Sequence, residues 1–415
     1  MDILFIHQNF PGQWKNLAPE LVRRGHNVTA LFPRRDVPDS WKEIDLKLYD
    51  IDRSNAKDIH PWILDFESKV VRAEACCRKA EDLANKGYQP DIIIAHPGWG
   101  ESLFLKHIWP EARLGIYCEF YYHPVGIDVG FDQEFAKGGL RELCRVQLKN
   151  TNILLQTEYA DGAISPTRWQ ASLFPKHLRD RITVVHDGID TEVVRPNTEA
   201  QFRLANGKII TKSDRVVTFV SRSLEPYRGF HIFMRSLREI LIAHSTVEIL
   251  IVGNDGVSYG APPPKGATWK KIFCKEVFPA LSEYEKSRVH FLGQIPYDKY
   301  LELLQVSTVH VYLTYPFVLS WSLLEAMSAG CAIVASNTSP VSEVIEDNVT
   351  GKLFNFFSYK ELALKVTKLI EDSEEQARLG LAARNFAKGK YDLRKICLPK
   401  QLRWVEELNK QKSPI

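Results

Sequence analysis

The sequence predicts an α/β protein built from two doubly wound parallel sheets, each formed by its own series of strands and helices. Short apolar runs alternate with amphipathic stretches from the first residue onward, which is the pattern of repeated βα units. The alternation stops at Arg195-Pro196-Asn197 and then begins again as a second series of similar size. Because such sheets bind ligands beyond the carboxyl ends of their strands, we expect two facing domains with the ligand cleft between them.

The first series begins with the apolar run Asp2–Ile6, which a Pro11-Gly12 break separates from a helical repeat of apolar residues. That repeat ends at Gly25, and Asn27–Phe32 then has the composition of a second strand. The later strands predicted for this series are Asp91–Ala95, Leu114–Cys118, Gly162–Ser165 and Ile182–Val185. Fully apolar strands of this kind are typical of parallel sheets covered by helices on both faces.

The second series begins with the strand Arg215–Val220, the helix Phe230–Ala243 and the strand Val247–Val252. Its later predicted strands are Val289–Leu292, Val309–Leu313, Cys331–Ser336 and Gly351–Phe354. Three consecutive prolines make Ser258–Trp269 a loop insertion. We therefore expect an N-terminal domain over 1–196, a C-terminal domain over 197–388, and a last helical segment, 389–415, that packs back on the N-terminal domain.

Charge and cysteine content exclude several classes of protein. The net charge is +3, divided as −4 in residues 1–200 and +7 in the remainder, without the dense basic stripe of a nucleic-acid-binding protein. Seven cysteines without a CxxC pair indicate neither a disulfide framework nor a zinc site, and we expect no metal and a reducing, cytoplasmic location. The N-terminal apolar run lacks the basic flank of a signal peptide, so it is interpreted as a core strand.

The densest candidate motif is a helix followed by a Gly stop and a buried strand, from Ser320 to Ser336. Glu325 lies inside that helix, where a carboxylate can accept hydrogen bonds from a vicinal diol such as a ribose. The backbone N–H groups at the helix start are suited to a phosphate, and they belong to Leu319, Ser320, Trp321 and Ser322. The alternative interpretation of this sequence is a surface or salt-bridged glutamate on an ordinary helix.

A second candidate motif carries two arginines six residues apart, Arg222 and Arg228, on the loop between a strand and a helix. Guanidinium forks supply charge and directed donors to the oxygens of a diphosphate. Gly229 permits the sharp turn into the following helix. Loop arginines that point into solvent remain the alternative.

Together these segments resemble the family 4 retaining glycosyltransferases, whose two Rossmann-like domains form the GT-B architecture. The resemblance is carried by several short motifs in the same order and spacing over most of the chain. They are the opening strand with Pro11-Gly12, Leu21–Thr29, Asp91–His96, Val184–Asp190, the Arg222 and Arg228-Gly229 loop, Val252-Gly253, Phe291–Gly293, Glu325–Ser336, and Glu343 with Gly351.

The resemblance implies a metal-independent enzyme that uses a nucleotide sugar as substrate, UDP- or GDP-linked ahead of other bases, and no cofactor. Arg222 and Arg228, the latter in place of the usual Lys, would bind the donor diphosphate, and Glu325 would bind the ribose. His96 would contact the transferred sugar or the acceptor, although a satisfied core imidazole is the alternative for this residue. The remaining implied binding positions are Gly12, Gly253, Gln294, Ile295, Leu319, Ser320, Trp321 and Ser322.

One departure from the family pattern concerns the donor sugar. Eight residues before Glu325 the family has a second glutamate that grips sugar hydroxyls, and this sequence has Phe317 there. The Gly that usually follows three residues later is Ser320. A buried acceptor is useful only where a hydroxyl reaches it, so a deoxy or otherwise less hydroxylated sugar is one hypothesis.

Two other functions fit the same architecture: a nucleotide-sugar epimerase, and a glycosyltransferase-like protein that binds without catalysis. The acceptor implied by the resemblance is a glycan, a glycolipid or a small molecule. The aromatic segment Glu119–Pro124 either stacks a sugar ring or packs a loop. The resemblance also admits a weak peripheral contact with the inner face of a membrane, while the sequence is silent on the donor base, the acceptor and the oligomeric state.

Overall fold

The computed structural model describes residues 1–33, 41–136 and 138–410. Its internal contacts divide the chain into two compact units. Unit 1 consists of Met1–Gly130, Ala136–Gly188 and the C-terminal segment from Arg394, and unit 2 consists of Phe131–Phe135 and Ile189–Leu393. The first long division therefore falls after Gly188, before the predicted boundary at residue 196, and a five-residue segment of the first half belongs to unit 2.

Unit 1 contains a seven-stranded parallel sheet with the order β3-β2-β1-β4-β5-β6-β7. Its strands are β1 Asp2–Ile6, β2 Asn27–Phe32, β3 Asp45–Leu48, β4 Ile92–Ala95, β5 Arg113–Tyr117, β6 Gly162–Ser165 and β7 Ile182–Val184. Its helices are α1 Leu17–Arg23, α2 Leu64–Asn85, α3 Leu105–Ile108, α4 Leu140–Leu148, α5 Thr151–Tyr159, α6 Arg168–Ser172 and α7 Lys176–Arg179. The chain reverses its winding direction at β1, as in a doubly wound sheet.

Burial explains which strands of unit 1 the sequence predicts. β1 and β4 are buried along almost their whole length and lie side by side at the centre of the sheet. β3, at the edge, has the sequence Asp-Leu-Lys-Leu and no fully buried residue, so it lacks the apolar run that identifies the others. The long helix α2 carries many charged residues, and the sequence predicts neither this helix nor β3.

Unit 2 contains a six-stranded parallel sheet with the order β12-β11-β10-β13-β14-β15, and a separate two-stranded antiparallel sheet. The strands are β8 Gln201–Arg203, β9 Ile209–Thr211, β10 Val216–Ser223, β11 Glu248–Asn254, β12 Val289–Gly293, β13 Val309–Tyr312, β14 Ala332–Ser336 and β15 Lys352–Phe354. The helices are α8 Phe230–Ala243, α9 Trp269–Val277, α10 Glu283–Ser287, α11 Tyr297–Val306, α12 Trp321–Ser328, α13 Ser339–Ser342, α14 Tyr359–Glu371 and α15 Ser373–Tyr391. The prediction of two doubly wound α/β domains is confirmed.

The centre of unit 2 is an apolar layer between β10 and α8. The ring of Phe233 on α8 stacks on Phe219 of β10 with centroids 4.7 Å apart. Both side chains are almost wholly buried, and burying side chains of this size is the main favourable term in folding. α8 has the bounds predicted from its apolar spacing, and the insertion remains without helix or strand until α9 begins at Trp269.

The last helix, α16 Leu398–Lys410, belongs to unit 1. Its side chains Trp404 and Leu408 lie against the backbone of β5 and β6. A Cβ added at Gly115 would lie 2.7 Å from each of these side chains, so only glycine allows the helix to approach the sheet this closely. The predicted segment 389–415 continues past residue 410, and residues 411–415 lie outside the described residues.

Among the described residues, no helix combines the length and the apolar composition that crossing a bilayer requires.

Candidate active site

The predicted donor-site residues of unit 2 all lie at one edge of its sheet. Parallel strands place their carboxyl ends together, and Arg222 and Gly253 lie near the ends of β10 and β11. Gln294 and Ile295 follow β12, and the segment 319–322 follows β13. The structure therefore brings together residues that span a hundred positions in the sequence.

Arg228 links the two sequence motifs. It is only 6% exposed, and its Nη1 donates to Thr314 Oγ1 at 2.7 Å and to the carbonyl of Val318 at 3.2 Å. The ring of Tyr259 lies 5.0 Å from the guanidinium carbon. Among the described residues no carboxylate forms an ion pair with Arg228, and Glu225 attracts the guanidinium only at longer range, so no counter-ion contacts the buried charge directly. The solvent-facing alternative for this arginine is therefore wrong.

The backbone explains the glycine after Arg228. Gly229 has φ +68°, and a Cβ there would lie 2.3 Å from Cβ of Leu313. A side chain would force β13 away from the turn that carries the arginine, so Gly229 fixes the position of the guanidinium as well as the start of α8.

The segment before α12 has the geometry of a capped helix start. Ser320 is the N-cap, and its Oγ accepts from the backbone N–H of Ser322 at 3.3 Å. The hydroxyl of Tyr312 accepts from the N–H of Ser320 at 3.1 Å. Arg228 reaches the Val318 carbonyl two residues before this cap. A buried cation and the positive end of a helix dipole thus lie next to each other.

Glu325 is held by two tyrosines of α11. Tyr297 donates to its Oε1 at 2.8 Å and Tyr300 donates to its Oε2 at 3.0 Å. The glutamate is 8% exposed and therefore is not a surface residue. Each carboxylate oxygen has a second lone pair, so the tyrosines orient the group without saturating it.

Phe317 places an aromatic ring where the family pattern has a glutamate, and this ring belongs to an aromatic cluster. Its ring lies 5.1 Å from Tyr227 and 5.0 Å from Tyr259, centroid to centroid, and it is buried. The ring centroid is also 5.9 Å from the guanidinium carbon of Arg228. A carboxylate at this position would neutralise that guanidinium, whereas the aromatic ring leaves its charge in place.

Glu225 attaches the proline-rich insertion to this edge. Its carboxylate accepts from the backbone N–H groups of Ser258 at 3.2 Å, Tyr259 at 3.3 Å and Gly260 at 3.0 Å. Burial raises the pKa of Glu225 above its ordinary value, and these N–H groups oppose the rise. The glutamate thereby positions Tyr259 over Arg228.

Arg222 differs from Arg228 in its surroundings. It is exposed and has no ion pair within the part of the chain that the structure describes. It projects from the end of β10, at the same edge of the sheet. The role of Arg222 at the donor diphosphate, which the resemblance implies, stays a prediction.

In unit 1, His96 follows β4 and belongs to a polar group at the carboxyl edge of that sheet. Its Nδ1 accepts from the N–H of Gly98 at 3.1 Å, so the proton is assigned to Nε2, which lies 3.5 Å from Oε2 of Glu119. Burial acts to raise the pKa of Glu119, but its contacts with His96, His7 and Gln13 outweigh burial and hold that pKa below the usual range.

The same group continues to His7 and Gln13. His7 Nε2 lies 2.8 Å from Gln13 Oε1, and Gln13 Nε2 donates to Glu119 Oε1 at 3.0 Å. Gly12 has φ +49°, and a Cβ there would lie 2.3 Å from the His7 ring. Glycine is therefore required to accommodate His7, a packing reason that the sequence did not suggest. The predicted approach of ligands to Gly12 remains a prediction.

One group in the described residues has the spacing of metal ligands: Asp132, Glu134 and His231, all in unit 2. His231 Nε2 lies 3.0 Å from Asp132 Oδ2, to which Tyr315 also donates at 2.8 Å. Arg235 donates to both oxygens of Glu134, at 2.7 and 2.6 Å. These carboxylates already have cationic or hydrogen-bonding partners, and the group fits a structural network better than a metal centre.

Several functional candidates were not found from the sequence. In unit 2 they are Glu225, Tyr259, Tyr297 and Tyr300, and in unit 1 they are His7 and Gln13. Only the Tyr297 and Tyr300 pair has a local signal, since residues three apart share a helix face and both follow a strand end. The others are brought together by contacts distant in sequence.

The fold and the site define a class of protein: two Rossmann-like parallel-sheet units, of which the second carries a buried arginine beside a helix start and an oriented carboxylate. Residues 24–194 match the family described as "Glycosyl transferase family 4 group", and residues 203–386 match "Glycosyl transferases group 1". Together the two glycosyltransferase models span most of the chain, which is therefore a glycosyltransferase, as the sequence motifs had indicated.

Individual relatives are distant. The chain is 32% identical over 113 residues to an uncharacterized glycosyltransferase of Methanocaldococcus jannaschii, a match covering 27% of this chain and 29% of that relative. It is 21% identical to a D-inositol 3-phosphate glycosyltransferase of Segniliparus rotundus over 89% of this chain and 78% of that protein. The crystal structure of Anabaena HepE in complex with UDP and glucose has a TM-score of 0.66 at 16% identity, covering 98% of this chain and 99% of that one. The structural similarity establishes a shared GT-B fold.

Proposed function

We propose that this protein transfers a sugar from a nucleoside diphosphate sugar to a hydroxyl of a glycan, glycolipid or small-molecule acceptor, with retention of anomeric configuration and without a metal. The observation that carries the proposal is the buried guanidinium of Arg228, which forms no ion pair among the described residues and lies next to the start of α12. Burying a cation that no carboxylate contacts is costly, and an anionic ligand at this edge supplies a counter-ion in direct contact.

The donor occupies the carboxyl edge of the unit 2 sheet in this proposal. Arg228, exposed Arg222 and the positive end of the α12 dipole bind the diphosphate, and Glu325 accepts from the ribose hydroxyls. Main-chain groups at Gln294 and Ile295 contact the base. The structure of HepE with UDP and glucose supports a uridine nucleotide as the first donor to test.

Two arginines supply the positive charge that a divalent metal supplies in other transferases. The carboxylates of Asp132 and Glu134 are engaged by His231 and Arg235, so the one metal-type group of the described residues has other partners. A guanidinium also offers directed donors to several phosphate oxygens at once. These contacts support a reaction in which arginine carries the electrostatic work.

The reaction breaks the bond between the anomeric carbon and the diphosphate oxygen and forms one to the acceptor oxygen on the same face of the sugar. The acceptor's proton passes to the departing diphosphate, so no strong protein base is required. Negative charge grows on the diphosphate in the transition state, and Arg222 and Arg228 stabilise it there. Preorganised donors of this kind contribute about 3 kcal/mol each.

Phe317 bears on the identity of the sugar. With an aromatic ring in place of a carboxylate, the edge offers an apolar face where the family offers a hydroxyl acceptor. We infer a deoxy or otherwise less hydroxylated donor sugar. Phe317→Glu is then expected to shift relative turnover toward hexosyl donors by about thirtyfold, because one hydrogen bond to a charged group contributes about 2 kcal/mol. An unchanged ratio of kcat/KM for deoxyhexosyl and hexosyl donors would remove this inference.

The proposal is tested with a panel of UDP-, GDP-, ADP- and dTDP-sugars, following free nucleotide and any altered nucleotide sugar by mass spectrometry. Slow release of one nucleotide, accelerated by an acceptor extract, is the expected result. An epimerised nucleotide sugar would move the assignment to an epimerase. Nucleotide binding that no acceptor extract converts into turnover would indicate a binding protein. Cytoplasmic location and weak peripheral membrane contact remain predictions from the sequence.

A further inference from the structure

A second candidate site lies within unit 1. A cavity of about 270 Å³ opens beside His96 and Glu119 and extends between α2 and the end of α4. Three cationic side chains line it: Lys69 and Arg72 of α2, and Lys149 just after α4. None of these residues belongs to the proposed donor site.

Lys69 forms the fixed wall of the cavity. It is 7% exposed, and its ammonium donates to the carbonyl of Lys149 at 3.2 Å and to Asn152 Oδ1 at 3.0 Å. It also lies 2.8 Å from Oδ2 of Asp65, which neutralises it. Lys69 therefore positions the backbone of Lys149 but does not itself hold an open charge.

Neither of the other two cations forms an ion pair among the described residues, and carboxylates attract them only at longer range: Asp65 and Asp128 attract Lys149, and Glu101 attracts Arg72. Arg72 donates to the backbone carbonyl of Ser68 at 3.3 Å, which leaves most of its donors unused. The Lys149 ammonium lies 3.9 Å from the ring centroid of Tyr122, and burial lowers its pKa below the ordinary value. A half-buried lysine over an aromatic face and an arginine with free donors are the groups that an oxyanion would recruit.

Tyr122 is held rigidly for this contact. Its N–H donates to Asn150 Oδ1 at 2.9 Å, and its carbonyl accepts from Asn150 Nδ2 at 2.7 Å. Asn152 and Gln156 both donate to the carbonyl of Pro97, at 2.6 and 3.1 Å, and so fix the turn that follows His96. Thus α5 and the residue before it organise both ends of the cavity.

We propose that this cavity binds an anionic group of the acceptor, a phosphate or a carboxylate on a sugar or polyol, through Arg72 and Lys149. This inference rests on the proposed transferase function. Because His96 and Glu119 line the same cavity, an acceptor anchored by its anionic group presents its hydroxyls to them. Neutral sugars lack the group that the two cations recognise and bind more weakly.

The test measures binding to the full chain by titration calorimetry without any donor, using glucose 6-phosphate, glucuronate, glucose and inorganic phosphate. We expect glucose 6-phosphate or glucuronate to bind at least tenfold more tightly than glucose, and inorganic phosphate to compete with the tighter ligand. Preference for glucose 6-phosphate over glucuronate assigns the anion to phosphate, and the reverse preference assigns it to carboxylate. Equal affinity for all three sugars would overturn the proposal.

Variants locate the binding. The double variant Lys149→Gln/Arg72→Gln keeps the backbone carbonyl that Lys69 uses, and it is expected to reduce the preference for anionic sugars at least tenfold. Lys149→Arg, which keeps a positive charge at this position, is expected to retain that preference. Lys86→Gln and Arg78→Gln, made at exposed positions of the same helical region, are matched controls that leave binding unchanged. Anionic preference that persists in folded Lys149→Gln/Arg72→Gln protein contradicts the proposal.

The transferase function is tested separately by the nucleotide-sugar panel, which requires no acceptor anion. Donor turnover without anionic preference refutes the cavity proposal alone. Anion binding that requires Lys149, in a protein that neither binds nor cleaves any nucleotide sugar, refutes the transferase and establishes an anion-binding site.

Discussion

In unit 2 the guanidinium of Arg228 is buried among neutral acceptors and aromatic rings, whereas in unit 1 the carboxylate of Glu119 lies between the amide of Gln13 and the imidazole of His96. The first arrangement preserves a permanent positive charge that no carboxylate among the described residues contacts directly. The second distributes hydrogen bonds among groups that exchange donors and acceptors at little cost. The first suits a ligand of fixed charge, and the second suits hydroxyl groups.

The difference extends to how each group is positioned. Arg228 depends on one short segment, since Gly229 sets the turn and Thr314 and Val318 receive the side chain. Glu119 depends on contacts with His96 and Gln13, which are remote from it and from each other in the sequence. Removing charge should therefore affect unit 2 most strongly, and changing protonation should affect unit 1 most strongly.

The largest effect is expected from Arg228→Ala. The variant loses preorganised charge at the departing diphosphate, and kcat for donor cleavage should fall about a hundredfold or more, corresponding to about 3 kcal/mol. Arg228→Lys retains the charge but not the forked donors, and an intermediate rate is expected. Single-turnover nucleotide release measures both.

The matched control for this comparison is Arg238→Ala, which removes an exposed arginine of α8. It should retain the rate of the unchanged protein. If Arg228→Ala retains full activity while its circular dichroism spectrum is native, the buried charge is structural and the proposed role of unit 2 is wrong.

A smaller effect is expected from Glu325→Gln. The amide keeps the shape of the carboxylate but removes the charge that Tyr297 and Tyr300 orient. Since hydrogen bonds to charged groups contribute about 2 kcal/mol, nucleoside diphosphate binding should weaken about thirtyfold. Glu283→Gln, at a side chain 91% exposed, is the control. Equal binding of UDP or GDP by Glu325→Gln and the parent would show that ribose is recognised elsewhere.

The sequence predicts the fold, and it predicts which segments lie at the carboxyl edge of the unit 2 sheet, because the signals are local. Arg222 and Arg228, the helix start and Glu325 each lie within a short segment next to a strand end, where doubly wound sheets place ligands. The exposure of Arg222 and the burial of Arg228 are not predictable in this way. Both are loop arginines in sequence, and only the contacts with Thr314 and Val318 distinguish them.

The unit 1 residues illustrate why the remainder could not be predicted. Lys69 and Lys149 are 80 positions apart, and each resembles a solvated lysine on a polar helix. Edge strand β3 has no apolar run, and α2 has a polar composition, so neither gave a periodic signal. Packing of distant segments, rather than any motif, creates the cavity and the Glu119 network.

The smallest of these effects concerns acid stability, and it separates the units directly. Burial lowers the pKa of His7 and of His186 to about 3 in unit 1, and of His310 to about 4 in unit 2. In each case the unfolded chain takes up the proton first. The stability contributed by the neutral imidazole is thus complete above about pH 6.5 and is lost as the pH falls toward the folded-state pKa.

Below about pH 6.5 each such group costs about 1.4 kcal/mol of unfolding free energy per pH unit. Unit 1 has two of them and also His26, whose pKa is lowered, against one in unit 2, so unit 1 should lose at least about 1.4 kcal/mol per pH unit more. Hydrogen exchange of core amides at pH 7 and 5.5, corrected for intrinsic exchange rates, measures both slopes in one sample. His7→Gln should reduce the slope of unit 1 toward that of unit 2, whereas His60→Gln, at an exposed histidine, should leave it unchanged. Equal slopes in the parent protein would show that the buried imidazoles of unit 1 gain a proton while the sheet stays folded.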